Sequence, residues 1–323
     1  MLDRAASLLP DARAIAVLGD PVTELVLALP DPSAVRVHQD LRSDELELRR
    51  RAGSRTPQHR PLDDSLLRDV DLVLLRLPRS LERLRDLAGL VAAHAAADVT
   101  VVAGGRIKYM TPRMNDVLRE HFDRVDVTHA RQKSRVLVAT GARTGASPEL
   151  RTQLHPGPIG ALVPSAGLTV CALGGVFAGT GIDIGTRFLL ENLPRTLGGE
   201  VLVDLACGSG VLATGLALAF PDRQVIACDE SAVAVDSARA TARANGAEDR
   251  VQVRRDDGLS LQPDDSVDVV VLNPPFHDGG AVDQRLAAGL FREAARALRV
   301  GGELWVVWNS HLDYAPQLGR LVG

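Results

Sequence analysis

The stretch "VVVLNPPFHDGG", residues 269–280, leads from four apolar residues into an Asn, two prolines and an aromatic ring. The amide oxygen of Asn273 and the carbonyl of Pro274 can both accept hydrogen bonds from one exocyclic amino group. Pro275 fixes its own φ and biases Pro274 towards an extended conformation, which holds the two acceptors rigidly. Phe276 could stack on the planar base that carries the amine, a contact worth ~1–3 kcal/mol. These four residues form the predicted catalytic group.

The chemistry that suits this corner is transfer of a group to the amine nitrogen. An amine conjugated with a ring is a poor nucleophile until it pyramidalises, and two fixed acceptors would turn its lone pair towards an electrophilic carbon. Orientation and partial negative charge then assist the reaction, and the proton can leave after the transfer. The interpretation therefore needs no strong general base.

Three strand ends earlier in the same half predict a nucleoside pocket. "GEVLVDLACGSGVLATGLALAF" reads as a buried strand, a turn and a helix, and Gly208 and Gly210 let the backbone approach a ligand without an intervening Cβ. The next strand ends in Asp229, whose carboxylate could accept hydrogen bonds from ribose hydroxyls. The third strand ends in Asp256 and Asp257, one of which could accept from an adenine amino group.

The charge of the glycine turn distinguishes between nucleoside cofactors. The turn reads D-L-A-C-G-S-G, so the carboxylate of Asp204 enters it. A dinucleotide turn holds an anionic pyrophosphate, which this carboxylate would repel. A cationic sulfonium with an amino-acid tail would be tolerated, and S-adenosylmethionine is therefore the predicted cofactor. The sequence predicts no metal site.

Apolar runs of strand length alternate along the chain with amphipathic helical stretches. The predicted strands are 14–18, 35–38, 72–77, 99–103, 200–205, 224–228, 251–254, 267–272 and 303–308, and the clearest helices are 80–96, 231–244 and 286–298. This alternation indicates βαβ units, so the predicted fold is α/β with two tandem Rossmann-like domains.

The two halves also look like copies of one another. "DVDLVLLRLPRS" at 69–80 and "SVDVVVLNPPFH" at 266–277 superimpose without a gap, which suggests an ancient duplication. A Gly, Pro and Ser-rich stretch at 147–165 is the predicted linker. The expected domains are 1–155, in which the catalytic features have degenerated, and 165–323, which carries the chemistry.

Composition narrows the class of protein further. The chain has 323 residues, of which 46% are hydrophobic, and no apolar run long enough to span a membrane. Its amino terminus lacks the layout of a secretory signal, so a cytoplasmic location is expected. The three cysteines are widely spaced, which favours reduced core thiols over disulfides or zinc ligands.

The second half of the sequence resembles a class I S-adenosylmethionine-dependent methyltransferase, and more narrowly the bacterial ribosomal-RNA guanine-N2 methyltransferases. The stretches that carry the resemblance are "VFAGTGIDIGTRFLLENLP", "VDLACGSGVLA", "CDESAVAVDSAR", "NPPFHDG" and "GELWVVWNSHLDY". In the first half, residues 104–141 resemble the same family's amino-terminal domain, a degenerate methyltransferase copy. The resemblance is closer to the large-subunit (23S) enzyme than to the small-subunit (16S) one.

The resemblance implies a role for each matching residue. The residues that would hold the target guanine are Asn273, Pro274, Pro275 and Phe276. The residues that would contact or border the cofactor are Asp183, Asp204, Cys207, Gly208, Gly210, Asp229 and Asp257. Two departures stand out: Ala206 replaces the first glycine of the family's loop, and two further strands that normally follow "HLDY" are not in this sequence.

The first half is predicted to bind RNA rather than to react with it. Residues 1–160 hold 24 Lys and Arg residues against 21 Asp and Glu residues, whereas the remainder holds 13 against 20. Its first strand leads to "LGDPVTE" with one glycine, and Arg76 stands in the place of Asn273. The candidate RNA-binding residues are Arg106, Lys108, Arg113, Arg131, Lys133 and Arg135. The expected partner is ribosomal RNA or a ribosomal subunit precursor, and the expected state is a monomer.

Three other functions remain open at this stage. A 16S rRNA guanine-N2 methyltransferase fits the same motifs. An adenine-N6 or protein-glutamine methyltransferase also uses N-P-P-[FY], although a glutamine enzyme would usually have Tyr at position 276. A catalytically silent RNA-binding assembly factor is the alternative from another class, against which the intact Asn273, Asp229 and Gly208 argue.

Overall fold

The structure is a computed structural model that describes residues 1–143, 148–194, 196–275, 284–309, 312 and 314–322. The chain divides into two compact units, Met1–Glu149 and Leu150–Gly323. Within the described ranges, no helix is both long and apolar enough to cross a membrane.

The first unit alternates strands with helices. Its strands are β1 (Ile15–Leu18), β2 (Arg36–His38), β3 (Gln58–His59), β4 (Leu72–Arg76), β5 (Thr100–Arg106), β6 (Phe122–Val127) and β7 (Ser134–Ala142). Its helices are α1 (Leu2–Ala5), α2 (Thr23–Leu27), α3 (Arg42–Ala52), α4 (Asp64–Leu67), α5 (Leu81–His94) and α6 (Pro112–His121).

The seven strands of the first unit form one sheet in the order β3-β2-β1-β4-β5-β7-β6. The first five strands are parallel, and β7 runs antiparallel to both β5 and β6. Alternate residues of β1 lie in separate apolar clusters, with Ala16 and Leu18 in one and Val17 in the other. The sheet is therefore packed on both faces, which explains why its central strands read as continuous apolar runs.

The second unit opens with a hairpin and continues with a parallel sheet. Its strands are β8 (Arg151–His155), β9 (Leu168–Ala172), β10 (Val201–Leu205), β11 (Gln224–Asp229), β12 (Val251–Arg255), β13 (Val267–Leu272) and β14 (Leu298–Val306). Its helices are α7 (Ile184–Asn192), α8 (Val211–Ala219), α9 (Ala232–Ala244), α10 (Gln284–Ala297) and α11 (Ala315–Leu321).

Five parallel strands of the second unit form a sheet in the order β12-β11-β10-β13-β14. This is the order of the five parallel strands in the first unit, so the predicted α/β fold with two tandem Rossmann-like domains is confirmed. Leu202 and Val203 of β10 again lie in different apolar clusters, because helices cover both faces. The carboxyl ends of all five strands meet at one edge, where open α/β sheets bind their ligands.

The β8–β9 hairpin is held against α9 by side chains that satisfy its backbone. The amide of Asn245, which follows α9, accepts from Thr169 N at 2.9 Å and donates to Thr169 O at 2.7 Å. Thr241 and Ser237 accept from the backbone nitrogens of Cys171 and Leu173 at 2.9 and 3.0 Å. The stretch 147–165, predicted as a linker, thus contains a strand that belongs to the second unit.

Candidate active site

The turn that follows β10 is built from residues with left-handed backbone. Ala206, Gly208 and Gly210 have φ values of +59°, +54° and +76°. The position of Ala206 thus has the conformation that a glycine adopts without strain. A Cβ at Gly210 would lie 2.8 Å from the Cβ of Ala238 on α9, so this glycine is also needed for the close packing of turn and helix. A Cβ at Gly208 would meet no atom of the described residues within 4 Å, which leaves open space beside the turn.

Asp204 lies beneath this turn and is 1% exposed. Its carboxylate accepts a hydrogen bond from Ala213 N, in the first turn of α8, at 2.8 Å. Burial raises the pKa of Asp204 to about 7, and the nearby charge of Asp229 acts in the same direction. The carboxyl group is therefore about half protonated near neutral pH, and a cation placed beside it would favour its ionised form.

Asp229, the last residue of β11, ties two loops together. Its two carboxylate oxygens accept from Gly208 N and Ser231 N, both at 2.9 Å. Cys207 N also donates to Cys228 O at 3.0 Å, so the glycine turn is fixed along the end of β11. A carboxylate oxygen can accept more than one hydrogen bond, and a carboxylate at this strand end suits the hydroxyls of a ribose.

The two acids that follow β12 have different environments. Asp256 is 4% exposed and accepts from Ser260 Oγ and Leu261 N, which closes its own loop. Asp257 is exposed. The sequence left open which of the two faces a ligand, and the bonds of Asp256 within its loop leave Asp257 as the accessible carboxylate.

Asn273 follows β13 and is bonded to the first turn of α7. Its Nδ2 donates to Asp183 Oδ2 at 3.0 Å and to Thr186 Oγ1 at 3.1 Å. The carboxylate of Asp183 also caps α7 by accepting from Gly185 N at 3.0 Å. Asp183 is thus a partner of the predicted amine clamp, a relation that the sequence alone did not reveal.

A cavity brings several of the predicted site residues together. Its lining includes the predicted residues Asp183, Asp204, Cys207, Gly208 and Asn273, together with Phe177, Ala178, Gly181, Thr186, Ala206, Ser209, Val211 and Leu212. Gly210, Asp229, Pro274, Pro275 and Asp257 do not line it. Phe276, the predicted stacking residue, lies outside the described residues.

The lining suits the methionine end of S-adenosylmethionine. Asp204, a buried carboxyl with a raised pKa, lines the cavity together with Asn273, and Gly208 of the turn adds no Cβ to it. Two acids at the ends of the next two strands, the half-buried Asp229 and the exposed Asp257, would then hold the nucleoside. The residues present fit this cofactor.

Sequence reasoning missed Thr186 and Phe177 in the cavity wall. Thr186 belongs to the same "GIDIGT" stretch as Asp183, so its place on the first helical turn is readable once the helix start is known. Phe177 is 70% exposed, in a loop without regular structure, and carries no signal that distinguishes it from a core aromatic.

Strand register identifies the counterparts of these residues in the first unit. Leu18 pairs with Leu75 there, as Leu205 pairs with Leu272 in the second unit. Counting from these pairs, the positions of Asp204, Asp229 and Asn273 are taken by three residues that carry no carboxylate, and Asn273 is replaced by a cation. They are Val17, Gln39 and Arg76.

The cleft above β1 in the first unit is closed by its own residues. A Cβ at Gly19 would lie 2.8 Å from the Cβ and the carbonyl oxygen of Arg76, so the turn after β1 packs directly against the end of β4. The Arg76 guanidinium donates to Pro21 O at 2.8 Å. Asp20 accepts from Asp40 N at 2.8 Å, and its pKa is raised to about 7 by burial. The space that is open beside Gly208 in the second unit is filled by packing beside Gly19.

The basic stretches of the first unit lie side by side. Gly105 and Arg106 pair with Arg135 and Ser134 across β5 and β7, and Ile107 N donates to Lys133 O at 3.0 Å. Of the predicted RNA-binding residues, Arg106, Lys108, Arg131 and Lys133 are exposed and Arg135 is half-buried. Arg131 forms an exposed ion pair with Asp3.

An aromatic ring lies among these cations. The Arg79 guanidinium and the Lys108 ammonium are 4.0 and 4.5 Å from the centroid of the Tyr109 ring, which is 37% exposed. A hydrogen bond from Lys108 lowers the pKa of Tyr109. Sequence reasoning did not single out Tyr109 or Arg79, because their contact joins segments that are 30 residues apart.

Comparison with known proteins assigns both units. Residues 167–323 match the Methyltransferase small domain, and residues 2–143 match the RLMG N-terminal domain. Over 96% of the chain and 86% of the relative, the sequence is 37% identical to Ribosomal RNA large subunit methyltransferase G of Streptomyces avermitilis. The chain belongs to the ribosomal RNA large subunit methyltransferase G family. The Streptomyces coelicolor member is 40% identical over 79% of this chain and 67% of its own.

One solved structure resembles this family member over the residue ranges of both units. It is the Thermus thermophilus 16S rRNA N2 G1207 methyltransferase in complex with AdoMet and guanosine. The TM-score is 0.80 at 25% sequence identity, with 95% of this chain and 83% of the other covered. The family predicted from the sequence is therefore confirmed, as is S-adenosylmethionine as the cofactor of the methyltransferase domain.

Proposed function

We propose that the chain transfers a methyl group from S-adenosylmethionine to the N2 amine of a guanine in large-subunit (23S) ribosomal RNA. The observation that carries the proposal is the position of Asn273 in the wall of the same cavity as Asp204 and the glycine turn. The names of the curated relatives support the large subunit, and the solved relative supports guanine N2.

The residues at the end of β13 act by orientation. S-adenosylmethionine, when bound, supplies an electrophilic methyl carbon on its sulfonium. The Asn273 amide oxygen and the Pro274 carbonyl accept the two N–H bonds of the guanine amine and turn its lone pair towards the cofactor. Partial negative charge on these oxygens stabilises the developing positive nitrogen, and one proton leaves it after transfer.

The cofactor residues divide by the part of the molecule that they hold. Asp204, Cys207, Gly208 and Gly210 border the methionine part, Asp229 accepts from the ribose, and Asp257 accepts from the adenine. Buried Cys207 has a pKa raised well above its usual value by burial, so it stays a neutral thiol and takes no part as a nucleophile.

The first unit, residues 1–155 in our division, positions the RNA for the catalytic unit, residues 165–323. Arg106, Lys108, Arg131, Lys133 and Arg135 neutralise phosphates, as exposed Lys and Arg side chains do in nucleic-acid complexes. Tyr109, between Arg79 and Lys108, offers a ring on which an unpaired base can stack. A cytoplasmic location, where ribosomes assemble, and a monomeric state belong to the same proposal.

Small-subunit RNA is the second candidate substrate, because the solved relative acts on 16S rRNA. The test is to map N2-methylated guanines in the rRNA of a strain that lacks this protein, and then to restore the gene. We expect one guanine of large-subunit RNA to lose its methyl group. A loss confined to 16S rRNA would establish the second candidate instead.

Restoration with an inactive variant separates catalysis from assembly functions. Asn273→Ala should fail to restore the methyl group, although cofactor affinity measured by calorimetry stays within about threefold. Asn192→Ala is the matched control, since the side chain of Asn192 donates to Phe188 O on its own helix and does not line the cavity. Full methylation by Asn273→Ala would contradict the proposed clamp.

A further inference from the structure

The N-cap and first turn of α7 make two hydrogen bonds with the amide of Asn273 and approach it closely at a third residue. The Nδ2 group of Asn273 donates to two acceptors. These are the carboxylate of Asp183, the N-cap of the helix, and the hydroxyl of Thr186 in its first turn. Between them, the position of a Cβ on Gly185 lies 2.8 Å from Asn273 Oδ1 and 3.1 Å from Nδ2. A side chain at residue 185 would therefore collide with the amide.

These contacts determine which way the amide of Asn273 faces. An ionised carboxylate only accepts hydrogen bonds, so the group of Asn273 that faces Asp183 must be the NH₂. An NH₂ group has two donors, and the two acceptors on α7 use both. Among the residues that the structure describes, none donates to the remaining group, Asn273 Oδ1, and Asn273 lines the cavity.

We infer that Asp183, Gly185 and Thr186 form a cradle that locks Asn273 as a pure hydrogen-bond acceptor. This inference rests on the proposed function, in which Asn273 accepts from the guanine amine. Asp183 and Thr186 are positioning residues, because they act on the substrate only through Asn273. A free amide could rotate by 180° and present its NH₂, and the cradle removes that alternative.

The locked orientation makes the site selective for donors. A purine amine can donate to Asn273 Oδ1, whereas a base carbonyl in the same place would face another oxygen and leave both without a partner. Leaving buried polar groups unpaired is the strongest form of discrimination between similar ligands. The cradle thus excludes a guanine that enters with its O6 edge first.

The first test removes Asp183, one of the two acceptors for Asn273 Nδ2, and replaces it by a residue that still caps α7. Serine caps helices well but is too short to reach Asn273 from position 183. We expect Asp183→Ser to lower kcat about 10- to 100-fold, because a misplacement near 1 Å has effects of that size. RNA affinity and the KM for RNA should stay within about threefold, and cofactor affinity is measured alongside them because Asp183 also lines the cofactor cavity. Asp63→Ser, the same change at the N-cap of α4, should leave all of these values unaltered.

The second test exchanges the side chains at positions 183 and 273. Asn273→Asp alone places two carboxylates about 3.0 Å apart, as Asn273 Nδ2 and Asp183 Oδ2 are now, and should lower kcat more than 100-fold. The double variant Asp183→Asn with Asn273→Asp restores one donor facing one acceptor and still presents an oxygen to the amine. We expect it to recover at least tenfold over Asn273→Asp, with thermal unfolding within a few degrees of wild type.

The outcomes separate this inference from the proposed function. If Asp183→Ser keeps the wild-type kcat, or if the exchange recovers nothing while cofactor binding is intact, the cradle is refuted and the methyltransferase assignment stands. If the wild-type protein methylates an amine other than guanine N2, the proposed function is wrong. The kcat ratios of the same variants on that amine still decide the cradle.

Discussion

Cofactor binding should be coupled to the ionisation of Asp204. The carboxyl group is buried beneath the glycine turn and its pKa is raised to about 7. The sulfonium and ammonium charges of S-adenosylmethionine would stabilise its ionised form, so binding should release the proton. Asp204→Asn keeps the size of the side chain and an oxygen that can accept from Ala213 N, but removes the titration.

The size of the effect follows from the pKa. If the ionised form alone binds the cofactor, about one in ten molecules is competent at pH 6 and about nine in ten at pH 8, for a pKa of 7. The contribution of Asp204 to affinity should therefore rise about tenfold between these values, which is about 1.4 kcal/mol. The protein should release close to one proton per cofactor at pH 6 and about 0.1 at pH 8.

The assay is calorimetric titration at each pH in two buffers that differ in ionisation enthalpy, which counts the protons released. The α-amino group of the cofactor itself titrates at roughly pH 8, so the quantity of interest is the difference between wild type and Asp204→Asn. Proton release that is equal in the two proteins at pH 6 would refute the reasoning, because Asp204 would then be ionised before the cofactor arrives.

Three further predictions concern stability and RNA. Ala206→Gly should raise the free energy of unfolding by about 0.5–1 kcal/mol, since φ is +59° there. A lower free energy of unfolding in urea denaturation would contradict the left-handed turn. Gly210→Ala should destabilise by about 1–3 kcal/mol more than Gly208→Ala, because only the former Cβ meets Ala238; equal unfolding midpoints would speak against that packing. Lys133→Glu should weaken binding to an rRNA fragment and reduce the slope of log affinity against log salt concentration by about 1, whereas Arg124→Glu should change both less. Unaltered binding would contradict a role of Lys133 in RNA binding.

Periodicity was enough to predict the central strands and the long helices. Continuous apolar runs such as 267–272 are typical of strands buried on both faces, and the observed β13 has the same bounds. Strands β3, β6, β7 and β9 were not among the predicted strands, and neither was β8, whose sequence RTQLH is mostly polar and is stabilised by pairing with β9. Its apolar content carries no signal of a strand, and the contacts that support it lie elsewhere in the chain.

The sequence was enough to predict those site residues that lie at the ends of strands. Asp204, Asp229 and Asn273 stand at the ends of adjacent strands, and parallel register places them at one edge of the sheet. The role of Asp183 could not be derived in this way, because Asn273 lies 90 residues further along the chain and their hydrogen bond depends on where α7 begins. The positive φ of Ala206 could not be predicted either, because an alanine rarely adopts it.

The packed turn of the first unit, with Gly19 against Arg76, has a consequence for the order of events during turnover. A chain with one functional donor cleft carries one reactive methyl at a time. A guanine amine could in principle take two methyl groups, yet a second addition would require spent cofactor to be exchanged for fresh. One round of cofactor binding therefore places one methyl group on the guanine.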